Sequence, residues 1–66
     1  MLTFSVIRSA KTGRVYIYNA TGAELAQCET MNEVFNYFYN WSVKFCSKSL
    51  TYCFTKSKDV LLVKMD

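Results

Sequence analysis

The sequence contains no histidine, and its three cysteines, Cys28, Cys46 and Cys53, include no C-x-x-C pair. A structural zinc site needs four ligands from Cys, His or carboxylate side chains at close spacing, and this set does not supply them. A disulfide framework would use an even number of cysteines behind an export signal. We therefore predict a protein with free thiols and with no metal, disulfide or cofactor.

Targeting and membrane segments are also missing. Residues Met1 to Arg8 contain no basic region, no long apolar run and no small-residue cleavage site, so we expect no signal peptide. No apolar run approaches the ~18 residues of a transmembrane helix. With the unpaired cysteines, this predicts a cytoplasmic protein that makes no membrane contact.

Groups that carry catalysis are scarce. General acid–base chemistry usually needs a histidine or a positioned carboxylate pair, and the five acidic residues are scattered along the chain. A nucleophilic thiol needs a nearby base, and Lys44 near Cys46 is the single local candidate. With two glycines, the chain has no glycine-rich phosphate loop. We predict that the protein is not an enzyme and has no catalytic residues.

Apolar and aromatic residues, in contrast, are plentiful. Of the 66 residues, 52% are hydrophobic and 17% aromatic, which is enough for one packed domain spanning residues 1–66. Five Tyr, five Phe and one Trp are more than so small a core can hide, and exposed aromatic side chains favour interfaces. A homodimer would cover some of them, and the sequence leaves open whether sheet edges or helices would pair.

Three short segments in the first half alternate in polarity or lie between turn residues. The spacing predicts strands at 2–9 and 14–19, with a turn at each of the two glycines, Gly13 and Gly22. Residues 23–28 also suit a helix, but their position between two turn signals favours a third strand. For the first hairpin we predict a four-residue loop that places Val6 beside Ile17, because this register gathers the apolar residues on one face.

The clearest local pattern is an amphipathic helix from Met31 to about Trp41. Thr30 and Glu33 have the spacing of a capping box, in which each side chain accepts a hydrogen bond from the other residue's main-chain N–H. The apolar stripe of this helix comprises Met31, Val34, Phe35, Phe38, Trp41 and, if the helix continues, Phe45. Residues 42–46 also alternate, so the end of the helix stays open.

Two more strands are predicted, at 50–56 and 60–63, and the last is apolar on both faces, which suits a central strand. The predicted fold class is α+β: a small antiparallel sheet in the order β-β-β-α-β-β, with the helix across one face and the C-terminal strand beside the first. The predicted core joins the helix stripe to six residues of the sheet: Leu2, Phe4, Val6, Val15, Ile17 and Leu25.

The sheet face away from the helix is the first candidate binding surface. Tyr16 and Tyr18 are expected there, with Ile7 across from them and Ser5 and Thr3 beside them. They are either ordinary strand tyrosines at the rim of a thin sheet, or a docking platform for a protein, or a stacking surface for single-stranded RNA.

The second candidate surface is one end of the sheet. Tracing the chain brings two turns and the helix N-terminus to the same end, with five of the eight basic residues: Arg8, Lys11, Arg14, Lys56 and Lys58. The net charge of +3 is mild for a nucleic-acid-binding domain. This end is either a solvated rim or a docking site for an acidic protein surface or a phosphate backbone.

The leading functional hypothesis is a small, non-catalytic interaction protein that binds and modulates a macromolecular partner, by inhibition. Stand-alone proteins of this type are typical of phages and mobile elements acting on a host protein. The predicted partner site comprises Ile7, Tyr16, Tyr18 and the five basic residues. The alternative is a small RNA-binding module that uses the same tyrosines and basic turns.

Overall fold

The computed structural model describes residues 2–56 and 59–66, which form a five-stranded antiparallel sheet with one helix packed on one face. The elements follow the predicted β-β-β-α-β-β order, so the α+β class is confirmed. In space the strands run β3-β2-β1-β5-β4, and β5 lies beside β1 as expected. Their bounds are β1 Leu2–Arg8, β2 Val15–Tyr18, β3 Glu24–Cys28, α1 Met31–Lys44, β4 Leu50–Phe54 and β5 Val60–Met65.

The first hairpin has the predicted register, with Val6 opposite Ile17. Ser9 and Arg14 close the four-residue loop, since the Ser9 N–H donates to the Arg14 carbonyl at 2.8 Å. Gly13 has φ +72°, a conformation that glycine adopts without steric cost. The turn is therefore compatible with the register that buries the apolar residues of both β1 and β2 on one face.

One residue of β3 was wrongly assigned to the core. Leu25 is 37% exposed, because the β2–β3 ladder shifts register between Ile17 and Tyr18. Ala26 lies opposite Ile17 and Glu24 opposite Tyr18, which leaves Leu25 as an extra residue between two pairs. Such a bulge turns the following side chains to the other face, so Ala26 packs against the core instead.

The helix begins as the sequence predicts, with one difference in its cap. Thr30 is the N-cap, and its hydroxyl accepts a hydrogen bond from the Glu33 N–H at 3.3 Å. The Glu33 carboxylate accepts from the N–H of Glu29 at 2.8 Å rather than from that of Thr30. The second hydrogen bond of the predicted capping box therefore comes from the residue before Thr30. The Glu33 carboxylate still accepts from a main-chain N–H just before the helix.

The helix ends three residues later than Trp41, at Lys44. Cys46 follows it in the left-handed region at φ 52°, and the Ser47 N–H donates to the Ser42 carbonyl at 2.8 Å. This is the hydrogen bond of a Schellman motif, in which a left-handed residue terminates the helix. The position is usually glycine, so the sequence carried no visible stop signal here.

The core lies between the helix and the sheet. Its buried residues are Phe4, Val6, Val15, Ile17, Cys28, Val34, Phe38, Leu61, Val63 and Met65. Phe4 packs against Phe38 and Trp41, with ring centroids 5.1 and 5.7 Å apart. Two further core assignments were wrong: Leu2, at the sheet margin, is 52% exposed, and Phe35 is 37% exposed.

Candidate partner-binding surface

The sheet leaves one face uncovered by the helix. Phe4, Val6, Val15 and Ile17 are buried under α1, so the alternate side chains of the same strands point away from it. We call this surface the outer face. On the three central strands it comprises Thr3, Ser5, Ile7, Tyr16, Tyr18, Val60, Leu62 and Lys64.

An apolar row crosses the middle of the outer face. Val60, Ile7 and Tyr16 lie opposite one another on β5, β1 and β2. The neighbouring row consists of Leu62, Ser5 and Tyr18. The three candidate residues Ile7, Tyr16 and Tyr18 are therefore brought together, and Ile7 is 39% exposed.

Charge is sparse on the three central strands of this surface, and Glu24 of β3 lies beside Tyr18 at its margin. Of the eight outward-facing side chains on β1, β2 and β5, Lys64 alone is ionisable at neutral pH. The solvated face of an antiparallel sheet is usually polar, with apolar residues restricted to the core face. A continuous uncharged row on the outer face is the feature expected of a surface that another molecule covers.

A shallow depression adjoins the tyrosines. It has a volume of about 330 Å³ and is lined by Ser5, Ile7, Tyr18, Asn19, Ala20 and Gly22. The turn at the rim of the depression is stabilised by Asn19, whose carboxamide oxygen accepts hydrogen bonds from the Thr21 and Ala23 N–H groups at 3.0 and 2.9 Å. A protruding side chain of a partner could enter a depression of this size beside a fixed turn.

The predicted end of the sheet is formed, because Ile7 lies opposite Val60 and Val15 lies opposite Cys28, which brings the β1–β2 turn, the start of β5 and the start of α1 to the same end. Arg8 lies on the helix-facing side of β1 and lines a cavity of about 180 Å³ with Met31, Phe54 and Asp59. Lys11 and Arg14 lie at the β1–β2 turn, where the Arg14 guanidinium donates to Gln27 Oε1 at 3.5 Å.

The remaining two basic residues belong to the β4–β5 connection. Lys56 follows β4, which lies three strand positions from β2, or about 14 Å at the usual strand spacing. Lys58 is outside the described residues. The structure thus places Arg8 on the opposite face of the sheet from Tyr16 and Tyr18.

The thiols differ in their surroundings. Cys28 is buried, and two effects raise the pKa of its thiol: mainly desolvation, and to a lesser extent the negative charge of the nearby Glu33 carboxylate. The thiol therefore stays protonated at neutral pH. Cys46 and Cys53 are exposed and free. The Lys44 ammonium lies 5.7 Å from the centroid of the Phe45 ring. Within the described residues, no cluster of His, Cys, Asp or Glu could hold a metal ion.

The structure also exposes aromatic side chains that the sequence assigned to the core or left unassigned. Phe35 contacts Tyr52 edge to face, with ring centroids 4.9 Å apart, on the side of the helix above β4. Phe54 on the same strand and Tyr39 on the helix are more exposed still. We call these four residues the β4 flank. The alternation of Leu50, Tyr52 and Phe54 was the sequence signal, but it did not show that β4 is an edge strand.

In the described part of the chain, no helix combines the length and hydropathy needed to span a bilayer. No family model matches the chain, and no curated protein or solved structure shows significant similarity to it.

Proposed function

We propose that this chain is a small non-catalytic interaction protein that binds a protein partner through the outer face, around Ile7, Tyr16 and Tyr18, and inhibits it. The observation that carries the proposal is the uncovered row of Val60, Ile7 and Tyr16, at the centre of a face that carries one charged residue in eight on β1, β2 and β5. We place the protein in the cytoplasm, and we propose that it is a phage or mobile-element protein acting on a host protein.

The chemistry of the face supports a protein partner. Tyrosines on a strand present a large contact area at low entropic cost, because each has two side-chain torsions held by a rigid backbone. The hydroxyl groups keep the free surface hydrated, while the rings supply apolar contact. Ser5 and the Asn19 turn add polar atoms at the rim of the depression, as in interfaces with an apolar centre and a polar rim.

The test starts with a pull-down from the native host to identify the partner, followed by binding kinetics. The double variant Tyr16→Ser/Tyr18→Ser should fold, because both side chains point away from the core, and should lose well over tenfold in affinity, mainly through faster dissociation. The matched control is Tyr39→Ser, an exposed tyrosine of the helix, which should bind like the parent. Unchanged dissociation in the double variant would mean that the partner meets another surface.

Basic residues near the face should steer the partner rather than hold it. Reversing Lys11 to Glu should slow association and leave dissociation unchanged, and the effect should shrink as salt rises. A large increase in the dissociation rate would instead mean that Lys11 is part of the contact itself.

RNA binding is the second candidate, and the two half-buried tyrosines at a spacing of two residues on the outer face favour it as a stacking surface. The single lysine on the outer face weighs against it, since phosphate contacts supply most of the affinity of such modules. Salt distinguishes the two: affinity for RNA should fall steeply with increasing salt, whereas a mainly apolar protein interface should change little.

A further inference from the structure

The two edges of the sheet differ in how they are protected. The β3 edge carries a charged residue, Glu24, and a bulge at Leu25, both of which discourage pairing with another strand. The β4 edge, Leu50–Phe54, has no charged residue, no proline and no register shift. An unprotected regular edge is a template for a further strand.

The ladder between β4 and β5 determines which β4 groups face outward. The Thr55 N–H donates to Val60 and the Asp66 N–H donates to Ser49, at 3.0 and 3.1 Å. Both pairs belong to the same register as Thr51–Lys64 and Cys53–Leu62. In an antiparallel ladder, alternate residues bond to one neighbour. The intervening residues Leu50, Tyr52 and Phe54 therefore direct their N–H and C=O groups to the open edge.

We propose that the β4 edge pairs antiparallel with β4 of a second copy of this chain, about a twofold axis at Tyr52. In this register Tyr52 pairs with Tyr52 of the second copy, and Leu50 pairs with Phe54 of the second copy. Every outward-facing N–H and C=O of the strand then has a partner. An isologous contact of this kind closes as a dimer and leaves no further β4 edge exposed.

A second copy suits this edge because the strand is self-complementary. The three residues whose N–H and C=O groups face outward, Leu50, Tyr52 and Phe54, all carry apolar or aromatic side chains. These side chains lie on the helix side of the sheet, where Tyr52 and Phe54 form part of the β4 flank. Antiparallel pairing stacks aromatic and aliphatic side chains across the axis, which is a favourable cross-strand combination.

The exposed aromatic side chains supply about half of the area that a standard dimer buries. The β4 flank residues Phe35, Tyr39, Tyr52 and Phe54 are 37, 63, 36 and 56% exposed. At about 200 Å² per aromatic residue, they present roughly 400 Å² in each copy. This is about half of the ~800 Å² that each partner buries in a standard interface. The paired strand, with Leu50, Thr51 and Cys53, adds to it.

The dimer does not depend on the proposed function, because β4 lies three strand positions from the tyrosines of β2. The test of the dimer uses the two β4 residues whose side chains lie on the outer face of the sheet, Thr51 and Cys53. In the proposed register Thr51 lies opposite Cys53 of the second copy. Both residues are exposed. The variants are Thr51→Lys/Cys53→Lys and Thr51→Glu/Cys53→Glu, each of which sets like charges opposite one another twice.

Sedimentation velocity over a wide concentration range should find the parent dimeric and each double variant at least about tenfold weaker in association. An equimolar mixture of the two variants should regain dimers, because Lys then faces Glu at both positions. Circular dichroism should show that each variant folds, a necessary check since Thr51 also pairs with Lys64 within the sheet.

Two control variants test whether the dimer forms at the β4 edge and whether it requires a disulfide. Gln27→Lys adds a charge to the exposed β3 edge and should leave the dimer intact. Cys53→Ser removes the thiol and should also leave it intact, which excludes a disulfide as the cause of association. A parent that stays monomeric at every concentration overturns the proposal, as does a mixture that fails to restore dimers or a Gln27→Lys variant that abolishes them.

Discussion

Phe38 and Phe35 occupy neighbouring turns of one helix, yet their surroundings differ. Phe38 is fully buried, with the rings of Phe4 and Tyr37 at 5.1 and 5.3 Å. Phe38→Ala should lower the free energy of unfolding by about 3–5 kcal/mol. Phe35→Ala should cost less than half as much, because its ring is partly exposed and contacts Tyr52 at the flank. Urea unfolding of the two variants measures the difference.

The control for this comparison is Asn36→Ala, on the exposed side of the same helix. It should be nearly silent, since a surface substitution away from a cap or a network usually changes stability by less than about 0.5 kcal/mol. Equal losses for Phe35→Ala and Phe38→Ala would contradict the assignment of Phe35 to the flank.

Cys46 adopts a left-handed conformation that glycine reaches without a steric penalty. The φ of 52° places its Cβ close to the following carbonyl oxygen, which costs roughly 1–2 kcal/mol in an L-residue. Cys46→Gly should therefore raise the free energy of unfolding by up to about 1 kcal/mol, the gain being reduced by the greater freedom of glycine in the unfolded chain. Thermal melts measure it.

The same substitution in a strand is the natural comparison. Cys53→Gly, within β4, should be destabilising, because glycine weakens a strand interior. If Cys46→Gly also lowered stability, the left-handed end of the helix would not be a source of strain.

At the scale of elements, prediction succeeded where one pattern sufficed. The alternation of β1 and β2 fixed the Val6–Ile17 register, because the other register would have turned apolar residues to solvent. It failed at Leu25, since a bulge depends on how two strands fit together rather than on the residues of either one. The helix end was equally hidden, because its left-handed residue is a cysteine instead of the usual glycine.

The helix–sheet contact has titratable groups on both flanks, and these make its stability depend on pH. Desolvation, together with the nearby Cys28, raises the pKa of Tyr37, while a hydrogen bond with Trp41 lowers it in part. Desolvation also raises the pKa of Tyr52. A phenol whose pKa is higher in the folded state contributes stability that is full below its unfolded pKa, near 10, and is lost as the pH rises through the folded pKa.

We therefore expect the protein to lose stability above about pH 10, with a contribution from Cys28 beginning at lower pH because a thiol ionises earlier and its pKa is also raised. Tyr37→Phe should flatten the alkaline limb, since the ionisable group is removed and the ring is kept. Urea unfolding at pH 7 and at several alkaline values measures the slope. An identical slope in the variant would show that Tyr37 ionises equally easily in the folded and unfolded states.

At the scale of the whole molecule, strand order decides which surfaces are visible from sequence. Tyr16 and Tyr18 could be placed on the outer face because their neighbours Val15 and Ile17 had to be buried. The β4 flank could not be placed, because Tyr52 and Phe54 alternate like core residues and are exposed only because β4 lies at the sheet edge. Arg8 lies on the other face of the sheet from the tyrosines for a related reason: it is separated from Phe4 and Val6 by an even number of residues, so its side chain points to the same face as theirs.

A dimer through β4 also makes the thermal stability depend on concentration. A domain of 66 residues buries only about 60% of its unfolded surface and has a thin stability margin, so covering the β4 flank should matter. Because a second copy binds the folded chain and not the unfolded one, mass action should raise the Tm of the parent as its concentration increases. In Thr51→Lys/Cys53→Lys the Tm should not change with concentration. Scanning calorimetry of both proteins over the same concentrations makes the comparison, and a parent Tm that stays constant while the protein sediments as a dimer would mean that the contact contributes nothing to the stability of the fold.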